Sequence, residues 1–289
     1  MSAKDTLEKV KQLREITGVG FKDCKKAIDE NNGDIEKSID FLRMNGIAKA
    51  SKKMQRVAAD GLVSIFEKDN NFSIVEINSE TDFVAKNNEF IKFVEEISEL
   101  TFLKLGKMET LLSSKMKNNK IVKDSLVDLI SKIGEKITLR RSSYIYSKEN
   151  INFSYTHSAI KNNLGKIGVL LSLKTNKKKD EMKDFGKQLC MHIAASSPLS
   201  IEEKDLDKKI IEKEKEIITE ELKNSGKDPK IIDKIATGKI NKFISDNTLL
   251  NQEWIMEPKK KVKDIIKEIS GNDKLIISKF IRFKVGEGV

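Results

Sequence analysis

The spacing of the apolar residues first changes near Gly61, from helical to extended. Before that point, apolar side chains recur every three or four residues in three short segments, each ending close to a glycine. This predicts three helices over residues 5–45. After it, two runs rich in Val, Ile and Phe, residues 62–66 and 72–77, flank a polar turn, which predicts a β-hairpin. The pattern therefore predicts a small helical module followed by a module of mixed helices and strands.

The mixed module shows one order of elements twice. In both copies a hairpin is followed by helical spacing and then by a closing strand, which predicts an internal duplication and a pseudo-symmetric core of two antiparallel-sheet halves. The predicted elements after the first hairpin are helices over 90–100 and 126–133 and a strand over 137–146; the second copy has a hairpin over 151–173, a helix over 180–195 and a closing strand over 275–285.

A long helical segment interrupts the second half. An apolar seam with coiled-coil-like spacing occupies residues 206–222, breaks at 224–229 and returns at 231–244. Each helix alone would leave its seam exposed to water, so we expect the two to pair as an antiparallel hairpin. The predicted fold class is α+β, divided into a three-helix module (1–46), a basic linker (47–57), a first core half (58–147), a second core half (148–200 and 249–289) and the inserted hairpin (201–248).

Composition narrows the class of protein. The chain has 289 residues, 38% of them hydrophobic and 35% charged, and no apolar run approaches the ~20 residues that span a bilayer. With no apolar secretory segment at the amino terminus, we expect a soluble, cytoplasmic protein. The net charge of +10 comes mainly from lysine, since only six of the 55 basic residues are arginine. These lysines alternate with acidic residues, as on a solvated surface, so a nucleic-acid partner is not expected.

Residues for catalysis or metal binding are scarce. Two cysteines, Cys24 and Cys190, and two histidines, His157 and His192, lack the spacing of metal ligands. Cys190 and His192 are two residues apart on a predicted helix and therefore point in different directions. No phosphate-binding glycine loop or nucleophile elbow is present. The sequence therefore predicts no catalytic residue, no metal and no cofactor.

The best candidate site is the stretch from Thr81 to Asn87, at a predicted strand-to-helix junction. Asp82 and Phe83 stand side by side there, and an acidic and an aromatic side chain at such a junction can project as a short rigid unit. The alternative is structural. Ser79, Thr81 or Asp82 can cap the following helix, and Phe83 can be an ordinary core residue.

The string Glu80-Thr81-Asp82-Phe83-Val84-Ala85-Lys86-Asn87 resembles the signature segment of the elongation factor Ts family, the guanine-nucleotide exchange factors for elongation factor Tu. This resemblance implies that Phe83 wedges between helices of that partner while Asp82 disturbs its Mg²⁺ region. The residues it assigns to this exchange wedge are Thr81, Asp82, Phe83 and Val84. It also implies no covalent chemistry and no cofactor of the protein's own, since the factor acts on the partner's Mg²⁺ and GDP.

The segment over residues 13–27 resembles the amino-terminal module of the same family, a ubiquitin-associated-like three-helix unit that docks on the nucleotide-binding domain of elongation factor Tu. Phe21 follows the turn Gly18-Val19-Gly20, whose glycines can leave it projecting between two helices. Closing the small core is the alternative role for Phe21. The partner contacts implied by the resemblance are Lys11, Arg14, Phe21, Lys22 and Lys25.

Two segments of the second half also resemble the family: Tyr155-Thr156-His157 and Trp254-Ile255-Met256-Glu257-Pro258. The resemblance implies that His157, Ile255 and Met256 help to hold elongation factor Tu, and it is compatible with a 2:2 complex. Without the resemblance, the preferred interpretation would be that His157 is a hydrogen-bonded histidine at a sheet edge and that Ile255 and Met256 pack in the core. Two other classes stay open: a basic ribosome- or RNA-binding protein without exchange activity, and an adaptor that binds peptides through residues 1–46.

Overall fold

The computed structural model describes residues 3–223 and 229–289, and the fold within these ranges is α+β, as predicted. The helices are α1 (Ala3–Thr17), α2 (Phe21–Glu30), α3 (Ile35–Lys53), α4 (Asp82–Ala85), α5 (Asn88–Leu103), α6 (Met108–Leu112), α7 (Val122–Ile133), α8 (Lys183–Ser196), α9 (Lys208–Lys223), α10 (Pro229–Asn247) and α11 (Val262–Ser270). The strands are β1 (Asp60–Lys68), β2 (Asn71–Ser79), β3 (Ile137–Ile145), β4 (Ile151–His157), β5 (Leu164–Gly165), β6 (Ile167–Thr175), β7 (Glu253–Trp254), β8 (Glu257–Lys261) and β9 (Leu275–Lys284).

The first three helices pack around a small core of their own. Its fully buried members include Leu13, Cys24 and Ile28. The third helix was expected to end near Gly46 but continues to Lys53, so most of the predicted basic linker is helical. A single glycine costs a helix only about 1 kcal/mol, and the continuation is supported by Ala50, which is buried in the core of the first half.

The first sheet has the order β3-β2-β1-β5, with antiparallel pairing throughout. β1 and β2 form the predicted hairpin, and its two turn residues, Asp69 and Asn70, both have positive φ, as a tight hairpin turn requires. The short β5 comes from the second half of the chain and pairs with β1. The two halves therefore share a sheet.

The second sheet has the order β4-β6-β9, and it packs against the first. Helices cover the outer face of each sheet, whereas alternate residues such as Val63, Ile74, Leu170 and Phe283 form one apolar cluster between the two inner faces. Strands buried on both faces have continuous apolar runs rather than alternating ones. The middle strands of this protein have such runs.

The inserted segment forms two packed helices, α9 and α10. Ile218 and Leu222 are buried against Ala236, and Glu221 pairs with Lys239 at 2.8 Å, an antiparallel arrangement. Ile210 and Ile217 were expected in the seam but are exposed. The predicted break between the helices falls largely on residues 224–228, outside the described residues. Nowhere in the described ranges does a helix combine the length and apolarity needed to cross a membrane.

Candidate partner-binding site

The stretch after β2 forms a single helical turn, α4, with opposite sides in different environments. Phe83 is 78% exposed, whereas Val84 and Ala85 are buried in the core of the first half. The alternative that Phe83 is a core residue is therefore wrong. Val84 was expected among the contacts, but the turn directs it inward, so it anchors the turn instead. Exposing a phenylalanine forgoes about 1.5–3 kcal/mol of burial free energy, so this arrangement favours a binding role.

Helix capping beside α4 differs from the expectation. Thr81 stands at the cap position of α4 but makes no capping bond with its side chain, and the helix that follows is capped by Asn87. The Asn87 Oδ1 atom accepts hydrogen bonds from the backbone N–H groups of Glu89 (2.8 Å) and Phe90 (3.3 Å). Asp82, the first residue of α4, is therefore not the cap of the following helix α5.

Asp82 lies on the exposed side of the turn and forms an ion pair. Its Oδ2 atom is 2.7 Å from Lys86 Nζ, one helical turn further on. The hydrogen bond from Lys86, together with the positive charges of Lys86 and Lys166, holds the pKa of Asp82 below its ordinary value. The carboxylate is therefore ionised at neutral pH. An exposed pair of this kind is worth little free energy, so Asp82 can exchange Lys86 for another partner at small cost.

Thr81 was expected to contact the partner directly, but its polar groups point into the protein. Its backbone N–H donates to Glu135 Oε2 at 3.0 Å, and its hydroxyl donates to Glu135 Oε1 at 2.9 Å. Glu135 belongs to the turn between α7 and β3. Sequence reasoning assigned Glu135 no part in the site, because nothing local in the sequence connects residues 54 positions apart.

The predicted contacts of the amino-terminal module all lie on its surface. Phe21, the first residue of α2, is 44% exposed and lies outside the small core, so the alternative that it closes this core is wrong. The other four expected contacts, exposed on α1 and α2, are Lys11, Arg14, Lys22 and Lys25. Lys11 and Arg14 are three residues apart on α1, and Lys22 and Lys25 are three residues apart on α2, so the members of each pair lie on the same side of their helix.

The expected contacts of the second half are also exposed. His157 ends β4, and its Nδ1 atom is 3.0 Å from the hydroxyl oxygen of Tyr155. Ile255 and Met256 form the turn between β7 and β8 and are 38% and 45% exposed, so core packing is excluded for both.

The β7–β8 turn is held from below by His192, which sequence reasoning had considered only as a partner for Cys190. Its ring stacks on Trp254 with centroids 5.2 Å apart, and its Nδ1 accepts a hydrogen bond from the Ile255 N–H at 3.4 Å. The Nε2 atom therefore carries the proton and donates to Gln252 Oε1 at 3.0 Å. Burial lowers the pKa of His192 despite this bond to Gln252.

The arrangement offers surface side chains in three places rather than a cluster of reactive groups. Among the residues that the structure describes, no three His, Cys, Asp or Glu side chains are grouped as a metal site requires. Fold and site together define an α+β protein with exposed apolar and charged side chains on its helical module and on both core halves.

Comparison with known proteins identifies the family. The sequence model of the family described as "Elongation factor TS" matches residues 80–287. Elongation factor Ts of Rickettsia felis is 41% identical over 283 residues, covering 97% of this chain and 91% of that protein. Elongation factor Ts of Bartonella quintana is 41% identical over 289 residues (98% and 94%), and that of Rickettsia prowazekii is 42% identical over 285 residues (97% and 91%). The chain therefore belongs to the elongation factor Ts family of translation elongation factors. This membership does not favour the RNA-binding alternative.

Proposed function

We propose that the protein binds elongation factor Tu in its GDP-bound form and promotes release of the nucleotide, so that GTP can bind in its place. The protein itself forms or breaks no covalent bond and carries no cofactor. It acts on the Mg²⁺ and GDP of the partner. The observation that carries the proposal is the 78% exposure of Phe83 on a one-turn helix with buried Val84 and Ala85 beneath it.

Exchange requires a difference in affinity between two states of the partner. If the protein lowers the affinity of elongation factor Tu for GDP by some factor, GDP lowers the affinity of elongation factor Tu for the protein by the same factor. A factor of ~10⁴ corresponds to about 5.5 kcal/mol of differential binding. Asp82 and Phe83, which we call the wedge, are proposed to make contacts that exist only when the partner has opened around its nucleotide.

The chemistry of Mg²⁺ explains why a small displacement is sufficient. This ion requires near-ideal octahedral geometry and bridges the phosphate oxygens of the nucleotide to the protein. Phe83 enters an apolar slot between helices of the partner, and the ionised Asp82 acts beside the Mg²⁺ ligands. Displacement of the ion by these residues would remove positive charge from the phosphates and so weaken the binding of GDP.

The remaining candidate contacts supply anchoring on both sides of the wedge. The amino-terminal module, formed by α1, α2 and the first part of α3, is ubiquitin-associated-like and docks through Phe21 and the basic residues Lys11, Arg14, Lys22 and Lys25. The second core half holds the partner through His157, Ile255 and Met256.

Helix α11, which precedes β9 as α7 precedes β3, supports an origin of the two halves by duplication. A complex of two copies of each protein is compatible with this arrangement.

The test is release of a fluorescent GDP analogue from elongation factor Tu, followed by stopped flow with excess unlabelled GDP. The protein is expected to accelerate release strongly at millimolar Mg²⁺. In EDTA the ratio of catalysed to spontaneous release should be smaller, because the contribution of the ion is already gone. Release at the spontaneous rate with saturating protein would contradict the proposal.

A further inference from the structure

Two turns that are distant in sequence meet directly beneath the wedge. Glu135 accepts both donors of Thr81, the backbone N–H at 3.0 Å and the hydroxyl at 2.9 Å. In return, the N–H of Lys136 donates to Glu80 Oε1 at 2.6 Å. These four residues, Glu80, Thr81, Glu135 and Lys136, form a reciprocal set of bonds that we call the clamp.

The clamp is joined to the end of the long helix α3. Lys136 Nζ donates to the backbone oxygens of Met54 and Arg56, each at 2.8 Å, and Arg56 pairs with Glu80 at 3.2 Å. Because α3 also belongs to the amino-terminal module, the base of the wedge is tied to the element that carries that module.

The wedge needs such support because α4 is too short to hold itself. A single helical turn gains almost nothing from its own hydrogen bonds. Its direction is fixed at one side by Val84 and Ala85 in the core and at its start by Thr81. The pair between Asp82 and Lys86 lies at the surface and within the turn itself, so it cannot orient the turn against the body of the protein.

We propose that Glu135 is a positioning residue for nucleotide exchange: its carboxylate holds Thr81 and so fixes the direction in which Asp82 and Phe83 project. The inference rests on the proposed function. Without this carboxylate, the partner still docks through the helical module and the second core half. The wedge then enters with the wrong orientation, and misplacement of an acting group by about 1 Å can cost 10²-fold in rate.

The test measures exchange at increasing concentrations of the full-length protein, which separates the maximal rate of GDP release from the half-saturating concentration. Glu135→Ala should lower the maximal rate about tenfold or more and leave the half-saturating concentration within about twofold. Glu135→Gln should restore most of the rate, since its oxygen can accept from the Thr81 N–H and its amide can donate to the hydroxyl. An unchanged maximal rate for Glu135→Ala, or a loss confined to the half-saturating concentration, would overturn the proposal.

A double-variant cycle separates positioning from a direct role of Thr81. Thr81→Val removes only the hydroxyl bond and leaves the α7–β3 turn intact, so it also serves if Glu135→Ala fails to fold. Thr81→Val with Glu135→Ala should release GDP no more slowly than the slower single variant, because both act through one contact. Rate losses that multiply would show independent roles and refute the inference.

Two further variants make the outcomes distinguishable. Glu95→Ala removes a glutamate of the first half from an exposed pair with Lys161 of the second half, and this variant should exchange at the parent rate. Phe83→Ala tests the proposed function itself. Parent-like exchange by Phe83→Ala would mean that the wedge account has failed. Slow exchange by Phe83→Ala together with parent-like exchange by Glu135→Ala would mean that only the positioning inference has failed.

Discussion

Glu76 is fully buried in β2 and nevertheless carries a charge. Its carboxylate contacts Arg140 at 3.0 Å and Arg141 at 2.5 Å and accepts the backbone N–H of Gly286 at 2.9 Å. Burial alone would raise the pKa of Glu76, but these bonds and one from Asn78 outweigh it, so the pKa lies below its ordinary value. Through its bond to Gly286, the Glu76 carboxylate holds the carboxyl-terminal turn against the first sheet.

Removing this carboxylate should destabilise the fold. Glu76→Ala removes the buried carboxylate from Arg140 and Arg141, which keep only their more exposed bonds to Glu287 and Lys284. Breaking a buried ion pair typically costs about 3–5 kcal/mol. Because both arginines reach solvent, we expect a loss near the lower end, measured by urea unfolding. Glu76→Gln keeps acceptor atoms and should lose less. A loss below about 1 kcal/mol for Glu76→Ala would contradict this role.

The two variants should also differ from the parent in acid. Since the pKa of Glu76 is lowered in the folded state, its contribution is fully present above the ordinary value of 4.5 and is lost as the pH falls through the folded pKa. Urea unfolding of the parent and of Glu76→Gln between pH 6 and pH 3 tests this. The stability of the variant should fall less steeply, and parallel curves would exclude the assignment.

His192 should also lose its contribution to stability as the pH falls, but in mildly acidic solution. Its folded pKa is below the ordinary value of 6.5, so the unfolded chain takes up a proton first as the pH falls. The stability contributed by the neutral ring is therefore present above pH 6.5 and declines below it. Unfolding free energies of the parent and of His192→Leu at pH 7.5 and pH 5.5 provide the measurement. An equal change in both proteins would refute the assignment.

At the scale of elements, the long helix α3 is what joins the amino-terminal module to the core. It passes α7 at Gly46, where an added Cβ would lie 3.2 Å from the Ser131 hydroxyl oxygen. Gly46→Leu should therefore overpack this crossing and cost about 1–3 kcal/mol of unfolding free energy. Gly238→Leu is the matched control, because this helical glycine has open space around it. Equal stability of the two variants would show that the crossing is not tightly packed.

The elements differ in how well the sequence predicts them. The hairpin turn at Asp69 and Asn70 is a local signal and is confirmed. The predicted end of α3 near Gly46 was wrong. A glycine lowers helix propensity only modestly, and here the contact of α3 with α7 outweighs that effect. Helix α11 was missed although Val262, Ile265, Ile266 and Ile269 recur at helical spacing within its nine residues. The candidate site likewise has one feature that the sequence indicated and one that it did not. The exposure of Phe83 followed from the family resemblance, whereas the bonds of Glu135 depend on a tertiary contact that no local pattern contains.

At the scale of the whole molecule, the proposed function divides the three exposed areas between holding the partner and opening its nucleotide site. It assigns the turn with Ile255 and Met256 to holding the partner. Replacing both with alanine should raise the half-saturating concentration for exchange about tenfold, as expected for truncating exposed apolar anchors, and leave the maximal rate unchanged. A concentration series with stopped-flow detection measures both values. A fall in the maximal rate alone would mean that this turn acts on the nucleotide site.

The central claim is that the wedge, Asp82 with Phe83, drives release of GDP. The most direct measurement is the maximal rate of release of the fluorescent analogue from elongation factor Tu at saturating protein. It is made with the Asp82→Ala, Phe83→Ala double variant and with Leu103→Ala as a control, since Leu103 is another exposed apolar residue of the first half. The account predicts release near the spontaneous rate for the double variant and the parent rate for the control. A double variant that binds the partner and releases GDP at the parent rate would contradict it.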